Sequence, residues 1–427
     1  MMVSCLLVCT VFSLVPTRVT RVIRGNLQLK TSNDFQLPYP RPLLPDQIEV
    51  KRLLGKIDIL TERGQRDTSM RVFEAAIDGK RAWLKEYLPI SSKLGKRELA
   101  TTRRAIGSFN RNIEDSLGGK RIEEEELDLI PLPVPTVIGS LRTDSRIEDP
   151  AFQKMWRTQF PGVGPPRAGN IWLIYQWDNS SFKSMRSFPS LPQVVDGTDY
   201  FSPKRRARKR WRFLRMAFFR SLEACDFLHR SGCSHNSLNS DSLWLSTTNE
   251  REVDQLRVSL TDLGTSTFLK EELGPQAKVA IFEDFYVLGF CFLELTLASF
   301  CDDFRGANQA RKKFQKIYLE KYGEERNAQG PLRSSFFSET DRHLHERELQ
   351  SLFELGCNSD FKKLRTFFME IPAYRIPCEV LDLQDNAGWK LFFKLMARGR
   401  LYEEGTQKKV SGRSFIRDSA RLFADLL

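Results

Sequence analysis

His229–Leu245 reads HRSGCSHNSLNSDSLWL, and the assignment of the whole chain turns on it. A helix leads into it. Across Trp211–His229, the residues Leu214, Ala217, Phe218, Leu222, Cys225 and Leu228 recur three or four apart with one adjacent pair, forming one apolar stripe. That stripe is core, and Cys225 belongs to it rather than to a metal site. After the stretch come Arg257–Leu260 (RVSL) and then Thr261-Asp262-Leu263-Gly264. Glu283–Glu294 (EDFYVLGFCFLE) follows, with Asp284 five residues ahead of Gly289.

Upstream, Val72–Tyr87 reads VFEAAIDGKRAWLKEY. Val72, Glu74 and Ala76 alternate with Phe73, Ala75 and Ile77. Asp78-Gly79 is a two-residue hairpin signal. Ala82–Tyr87 is then a second strand, and the period of two puts Trp83 and Lys85 on one side. Taken alone, Lys85 reads as a solvated edge charge. Leu94–Leu117 is a helical candidate in which Glu98 lies thirteen residues past Lys85. An exposed helical carboxylate is an equally good reading of Glu98. Glu123–Glu126 reads as a solvated face or loop. Pro131, Pro133 and Pro135 break any helix there. Ile171–Trp177 (IWLIYQW) is a continuous apolar run, consistent with a buried strand. Arg146–Asn170, rich in Pro and Gly, reads as an insertion ahead of it.

In this order the pieces resemble the protein kinase superfamily, from Ile48 to Leu427. A kinase carries H-R-D-L-x-x-x-N after a long helix. Here His235-Asn236-Ser237-Leu238 takes that place, and Ser242 falls where the Asn stands. Thr261–Gly264 resembles the metal-binding D-F-G, and Asp284 with Gly289 resembles the large-lobe helix motif. Arg417–Phe423 resembles the final helix. The resemblance implies an α+β fold of two lobes. A small antiparallel-sheet N-lobe would occupy residues 46–177, and a mainly helical C-lobe residues 178–427. Lys85 would contact nucleotide phosphates, Glu98 would pair with it, and Trp177-Asp178-Asn179 would be the hinge. Asp262 and Ser242 would face magnesium.

The departures are as informative as the matches. Phosphoryl transfer is mostly positioning and charge neutralisation. Ser237 stands where the family has its catalytic Asp, Asn239 where Ser/Thr kinases have a phosphate-contacting Lys, and Ser242 where a metal-binding Asn belongs. The phosphate loop, G-x-G-x-x-G-x-V in the family, is here Thr61–Met70 (TERGQRDTSM) with Gly64 alone. Only nineteen residues separate Gly264 from Asp284, and no A-P-E is present. The resemblance therefore implies a pseudokinase, a scaffold or regulatory binding module for an unknown protein partner, with weak or absent binding of ATP and Mg. The alternative is an active atypical Ser/Thr kinase in which Asp241 replaces the missing base. The nearest likeness is to divergent kinase-like proteins of plant and algal plastids.

Composition bounds the rest. The 427 residues are 41% hydrophobic and 28% charged, which excludes collagen-like, wholly disordered and multi-span membrane chains. The formal charge of +12 favours anionic partners. Eight Cys without a Cys-x-x-Cys pair exclude a disulfide scaffold. Lys204–Arg212 (KRRARKRWR) reads as a contact for nucleic acid or an acidic partner, as a nuclear address, or as a solvated first turn. Val3–Val15 is apolar but too short to span a bilayer, and no Asp or Glu occurs before Asp34. Residues 1–45 thus read as a targeting presequence and Pro-rich linker. The destination is a plastid, or alternatively the secretory pathway or cytoplasm. Arg311–Tyr322 and His343–Leu355 read as helices, and Leu332–Ser338 as a loop. A His343/His345 metal pair is disfavoured on helical geometry. Phe367, Phe368, Trp389, Phe392 and Phe393 read as core.

Overall fold

The computed structural model describes residues 41–43, 47–60, 66–117, 132–176, 183–188, 203–301, 304–327 and 343–403. The targeting segment up to residue 40, Gly64, Glu123–Glu126, Trp177-Asp178-Asn179, Leu332–Ser338 and Arg417–Phe423 lie outside the described residues. The chain divides into two units, residues 1–39 with 106–131, and residues 40–105 with 132–427. Of the first, the described part is a helical stretch, residues 106–117. The second carries the sheet, the other helices and the candidate site.

The class is α+β: an antiparallel sheet followed by a mostly helical remainder. The strands are β1 (Arg41–Pro42), β2 (Ile48–Leu60), β3 (Arg66–Ile77), β4 (Lys80–Tyr87), β5 (Val137–Arg142) and β6 (Ile171–Gln176), in the spatial order β1-β5-β6-β4-β3-β2. Five of them are antiparallel, and the two-residue β1 joins β5 in parallel. Asp78 (φ 50°) and Gly79 (φ 76°) are both left-handed, so the β3–β4 turn matches the strand twist. The edge strand β2 carries three register shifts and exposed Lys51, Arg52 and Lys56. Bulges and charge of this kind protect an edge from pairing with other chains.

The sheet is covered on both faces, which is why β6 is apolar and buried from Ile171 to Tyr175. Phe73, Ala75, Ala82, Leu84, Trp172 and Ile174 form one buried cluster. Met70, Tyr87, Val137, Ile171, Leu173 and Tyr175 form another. The insertion between β5 and β6 folds rather than merely looping out. Its helix α2 (Pro150–Gln159) follows helix α1 (Ser92–Leu117) in the chain and starts on Asp149, whose carboxylate caps the Ala151 N–H at 3.2 Å. Pro150 sits in the first turn, where its missing N–H costs nothing. Buried Trp156 meets Phe73 edge-on, with centroids 5.6 Å apart.

The remainder contains α3 (Pro203–Arg230), α4 (Ala277–Phe300), α5 (Phe304–Asn327), α6 (Glu346–Ser351), α7 (Phe361–Met369) and α8 (Arg375–Glu403). Short strands β7 (Lys183–Ser184), β8 (Cys233–Ser234), β9 (Leu243–Leu245), β10 (Val258–Leu260) and β11 (Thr267–Phe268) tie the loops together. The whole apolar stripe of α3 is buried. So is nearly all of α4 from Asp284 onward, as expected for a helix at the centre of a core. A side chain at Gly289 would collide with Met396, so the glycine lets α8 pack closely on α4.

Two expectations change. Phe367, Phe368, Trp389 and Phe392 are core, but Phe393 is 52% exposed, because it lies one residue round α8 from the buried face. The expected His343–Leu355 helix starts only at Glu346, with His345 as its N-cap, so His343 and His345 do not share a helix. Among the described residues, no helix is long and apolar enough to cross a membrane.

Candidate functional site

Alternation along β4 turns Ala82, Leu84 and Glu86 toward one face and Trp83, Lys85 and Tyr87 toward the other. Helix α1 closes over that second face. It approaches closely because Gly95 has no side chain; a Cβ there would sit 2.8 Å from the Tyr87 ring. The approach places Glu98 against Lys85.

Lys85 and Glu98 are both 3% exposed, so neither the edge-charge nor the solvated-helix reading holds. Lys85 Nζ donates to Glu98 Oε1 and Oε2 at 3.1 and 3.0 Å, and to Asp262 Oδ1 at 2.7 Å. The hydroxyls of Tyr87 and Tyr175 also donate to the Glu98 carboxylate. A buried ion pair is tolerable only when its remaining hydrogen-bonding capacity is filled, and here it is. Burial pushes Lys85 toward the neutral amine, but Glu98 and Asp262 outweigh it and hold its pKa above the ordinary value. Burial and then the Glu98 charge push both tyrosines well up, so they remain neutral donors. Burial works to raise Asp262, yet Lys85 prevails and holds its carboxyl below the usual range. Sequence reasoning missed both tyrosines. Tyr87 was legible from the period of two, whereas nothing local marks Tyr175.

Asp262 follows β10 with a left-handed backbone (φ 60°, ψ 42°), which Asp accepts more readily than most residues. Its side chain is 48% exposed. Gly264 packs against Leu94 of α1. The chain beyond is braced on the same helix. Arg104 pairs with Glu271 at 2.8 Å and Arg97 with Glu272, while both guanidiniums lie over Phe268 at 5.0 and 4.6 Å.

The 235–242 loop is anchored from below by Asp284. Its buried carboxylate accepts from His235 N at 2.7 Å and Asn236 N at 2.9 Å, and it lies 2.8 Å from His229 Nε2. His235 Nε2 reaches Thr261 O at 2.8 Å, joining the loop to the residue before Asp262. Within the loop, Ser237 Oγ is bonded to Thr265 Oγ1. Asn239 Nδ2 donates to Ser237 O at 3.0 Å. Ser242 Oγ donates to Asn239 O at 2.8 Å and accepts from Asn239 N at 3.0 Å. Lys85, Glu98 and Asp262 are thus in direct contact. Ser237, Asn239 and Ser242 form a neighbouring group with its hydroxyls engaged. Asp241 turns elsewhere, to Arg186.

Two rings complete the surroundings. Trp83 stacks on Tyr175 with centroids 4.1 Å apart and an interplanar angle of 16°. It also stacks on Trp244 of β9, at 5.6 Å and 21°. The register pairs Lys85 with Leu173, Trp83 with Tyr175 and Ala82 with Gln176. A path along this face from Lys85 to the end of β6 therefore crosses Trp83.

Arg186 gathers three carboxylates: Asp241, Glu346 at 2.7 Å and Glu294 at 3.4 Å. Ser240 Oγ and the Glu346 N–H also donate to Glu294, at 2.7 and 2.9 Å, and His345 Nδ1 is 3.4 Å away. Burial works to raise Glu294, but His345, Glu346 and Arg186 leave it below its ordinary value. Burial, then the bond and charge of Glu294, push Glu346 up to about 7. Its unfolded value is near 4.5, so between these pH values the folded state holds a proton that the unfolded state has lost. Stability from this group is full below about pH 4.5 and falls as pH rises toward 7. Urea unfolding across that range should show the fall, and Glu346→Gln should flatten it. An unchanged slope in that variant would remove Glu346 as the cause.

The basic run Lys204–Arg212 is partly neutralised within the chain. Arg210 is fully buried, 2.6 Å from Glu250 and 4.4 Å over the Phe188 ring, and Arg212 pairs with Asp254 at 2.8 Å. Comparison with known proteins adds no name: no protein-family model matches the chain, and no curated protein matches it. The fold and site define an α+β protein with a buried lysine clasped by two carboxylates beside an aromatic stack.

Proposed function

We propose that the chain is a divergent member of the protein kinase superfamily that has become a pseudokinase, a scaffold or regulatory binding module with weak or no nucleotide binding. Supporting the kinship, Lys85 lies on the third strand of the antiparallel sheet, counted from β2, and pairs with a helix Glu, as kinases require. The observation that carries the loss of chemistry is the Trp83–Tyr175–Trp244 stack beside a lysine already held by Asp262. A nucleotide with its phosphates at Lys85 and its base toward the end of β6 would have to displace those rings.

The metal expectation divides. Asp262 is half exposed and would fit one magnesium ion, which in kinases neutralises phosphate charge. Ser242 does not fit a second, because its hydroxyl is already committed to Asn239. The retained Lys85–Glu98–Asp262 contacts favour the alternative, an active Ser/Thr kinase. Against it, Ser237 has no carboxylate and Asp241 is held by Arg186. Losing a positioned base costs about 10²- to 10⁴-fold in rate. The acid-free, Arg-rich N-terminus supports delivery to a plastid.

A titration with ATP and Mg²⁺, followed by thermal unfolding, tests the reading. At about 5 mM nucleotide the midpoint should move by less than ~1 °C, since a ligand of the native state stabilises only when its concentration reaches its Kd. Saturable stabilisation at micromolar nucleotide would overturn it.

A further inference from the structure

A second concave site lies on the insertion between β5 and β6, away from Lys85. It is a cleft of about 870 Å³. Lys154 and Arg157, one turn apart on α2, form one wall with Thr158, and Arg167 stands among Pro165 and Pro166 on the other. All three cations are exposed, and among the described residues none of them has an ion-pair partner. The single acid of the lining is Glu148, whose Oε1 accepts from Ala168 N at 3.4 Å.

The walls are held in place from beneath. Arg71 donates to Gly164 O and pairs with Glu86 at 2.6 Å; Asn170 donates to the same Glu86 at 2.6 Å. Thr143 Oγ1 donates to Arg167 O at 2.6 Å. All four of Arg71, Glu86, Thr143 and Asn170 are buried. A cleft fixed in this way loses little freedom on binding.

The geometry points to a docking site for an acidic, extended peptide segment of a partner protein. The net charge of the lining favours an anionic occupant, and the proline walls suit an extended chain. Nucleic acid fits less well. Single-strand binders offer stacking rings, but Trp156 and Phe160 are buried against Phe73. With Arg210 and Arg212 paired internally, this cleft rather than Lys204–Arg212 becomes the cationic surface to test. The inference names a partner class at a different site, so its success or failure is separable from the nucleotide result.

The test uses the full chain and a fluorescein-labelled peptide of six glutamates, read by anisotropy at about 50 mM salt. Binding in the micromolar range is expected, weakening several-fold by about 150 mM salt as screening shortens. The triple variant Lys154→Glu, Arg157→Glu, Arg167→Glu should bind at least about tenfold more weakly, because attraction becomes repulsion. A control with the same change of charge, Arg208→Glu, Lys312→Glu, Lys362→Glu, should keep most of the affinity. If the reversal variant loses its fold, Lys154→Gln, Arg157→Gln, Arg167→Gln serves instead. No binding by the native chain, equal loss in the control, or tighter binding of hexauridylate than of hexaglutamate would each overturn the proposal.

Discussion

Asp284→Ala should destabilise the protein by about 3–5 kcal/mol, the usual result of breaking a buried charged network from one side. The substitution leaves two backbone N–H groups, that of buried His235 and the partly buried one of Asn236, without an acceptor. Each orphaned buried donor costs about 1–3 kcal/mol. It also removes the partner of His229, itself buried. At about 1 °C per kcal/mol for a chain of 427 residues, the midpoint should drop by roughly 3–5 °C. Asp284→Asn should recover only part of this. One amide oxygen can serve one of the two N–H groups, while the amide NH₂ faces the other donor. If Asp284→Asn were as stable as the native chain, the carboxylate would not be the anchor of the 235–242 loop. The measurement is urea unfolding of both variants, with His229→Gln as a companion that leaves the backbone bonds intact.

The parts of this fold that could be read from sequence are those whose cause is local. The β3–β4 hairpin follows from Asp78-Gly79 between alternating residues, and the α3 core face from its repeat. The insertion helix α2 was legible in principle, since Asp149-Pro150 is a cap followed by a first-turn proline. The density of Pro and Gly around it concealed the signal. Phe393 went astray because an aromatic beside Phe392 was assumed to share its environment, although adjacent helical residues point apart. The burial of Glu98 could not be read from α1 alone. It depends on Gly95 admitting the helix to Tyr87, and on a strand partner, Tyr175, 77 positions away from Glu98. Arg186 is harder still: its three carboxylates lie 55, 108 and 160 positions off, and no local pattern records such a meeting. The grouping of Lys85 with Asp262 rested on family resemblance, because no periodicity connects residues 177 apart.

On the proposed reading, Trp83→Ala should create nucleotide binding where the native chain has little or none. Two features stand between a nucleotide and this face: the Lys85–Asp262 contact and the aromatic stack. The contact is the weaker barrier, because the Asp262 carboxylate is 48% exposed and can exchange its lysine bond for water or a cation. The stack is not exchanged so readily. Trp83 is sandwiched by Tyr175 and Trp244, and aromatic pairs add about 0.5–1.5 kcal/mol each beyond the area they bury. Removing the indole opens a planar gap between two rings, which suits a purine. With a Kd near 0.5 mM in the variant, about 5 mM ATP with Mg²⁺ would add roughly 1.4 kcal/mol of stability, or ~1.5 °C. Trp83→Phe, which retains a ring in the gap, should stay unresponsive, whereas Trp244→Ala should respond like Trp83→Ala by opening the other side. Some loss of intrinsic stability is expected in both alanine variants, so the readout is the nucleotide-induced shift within each. If both fold and neither shifts, the aromatic stack is not what keeps nucleotide from this face.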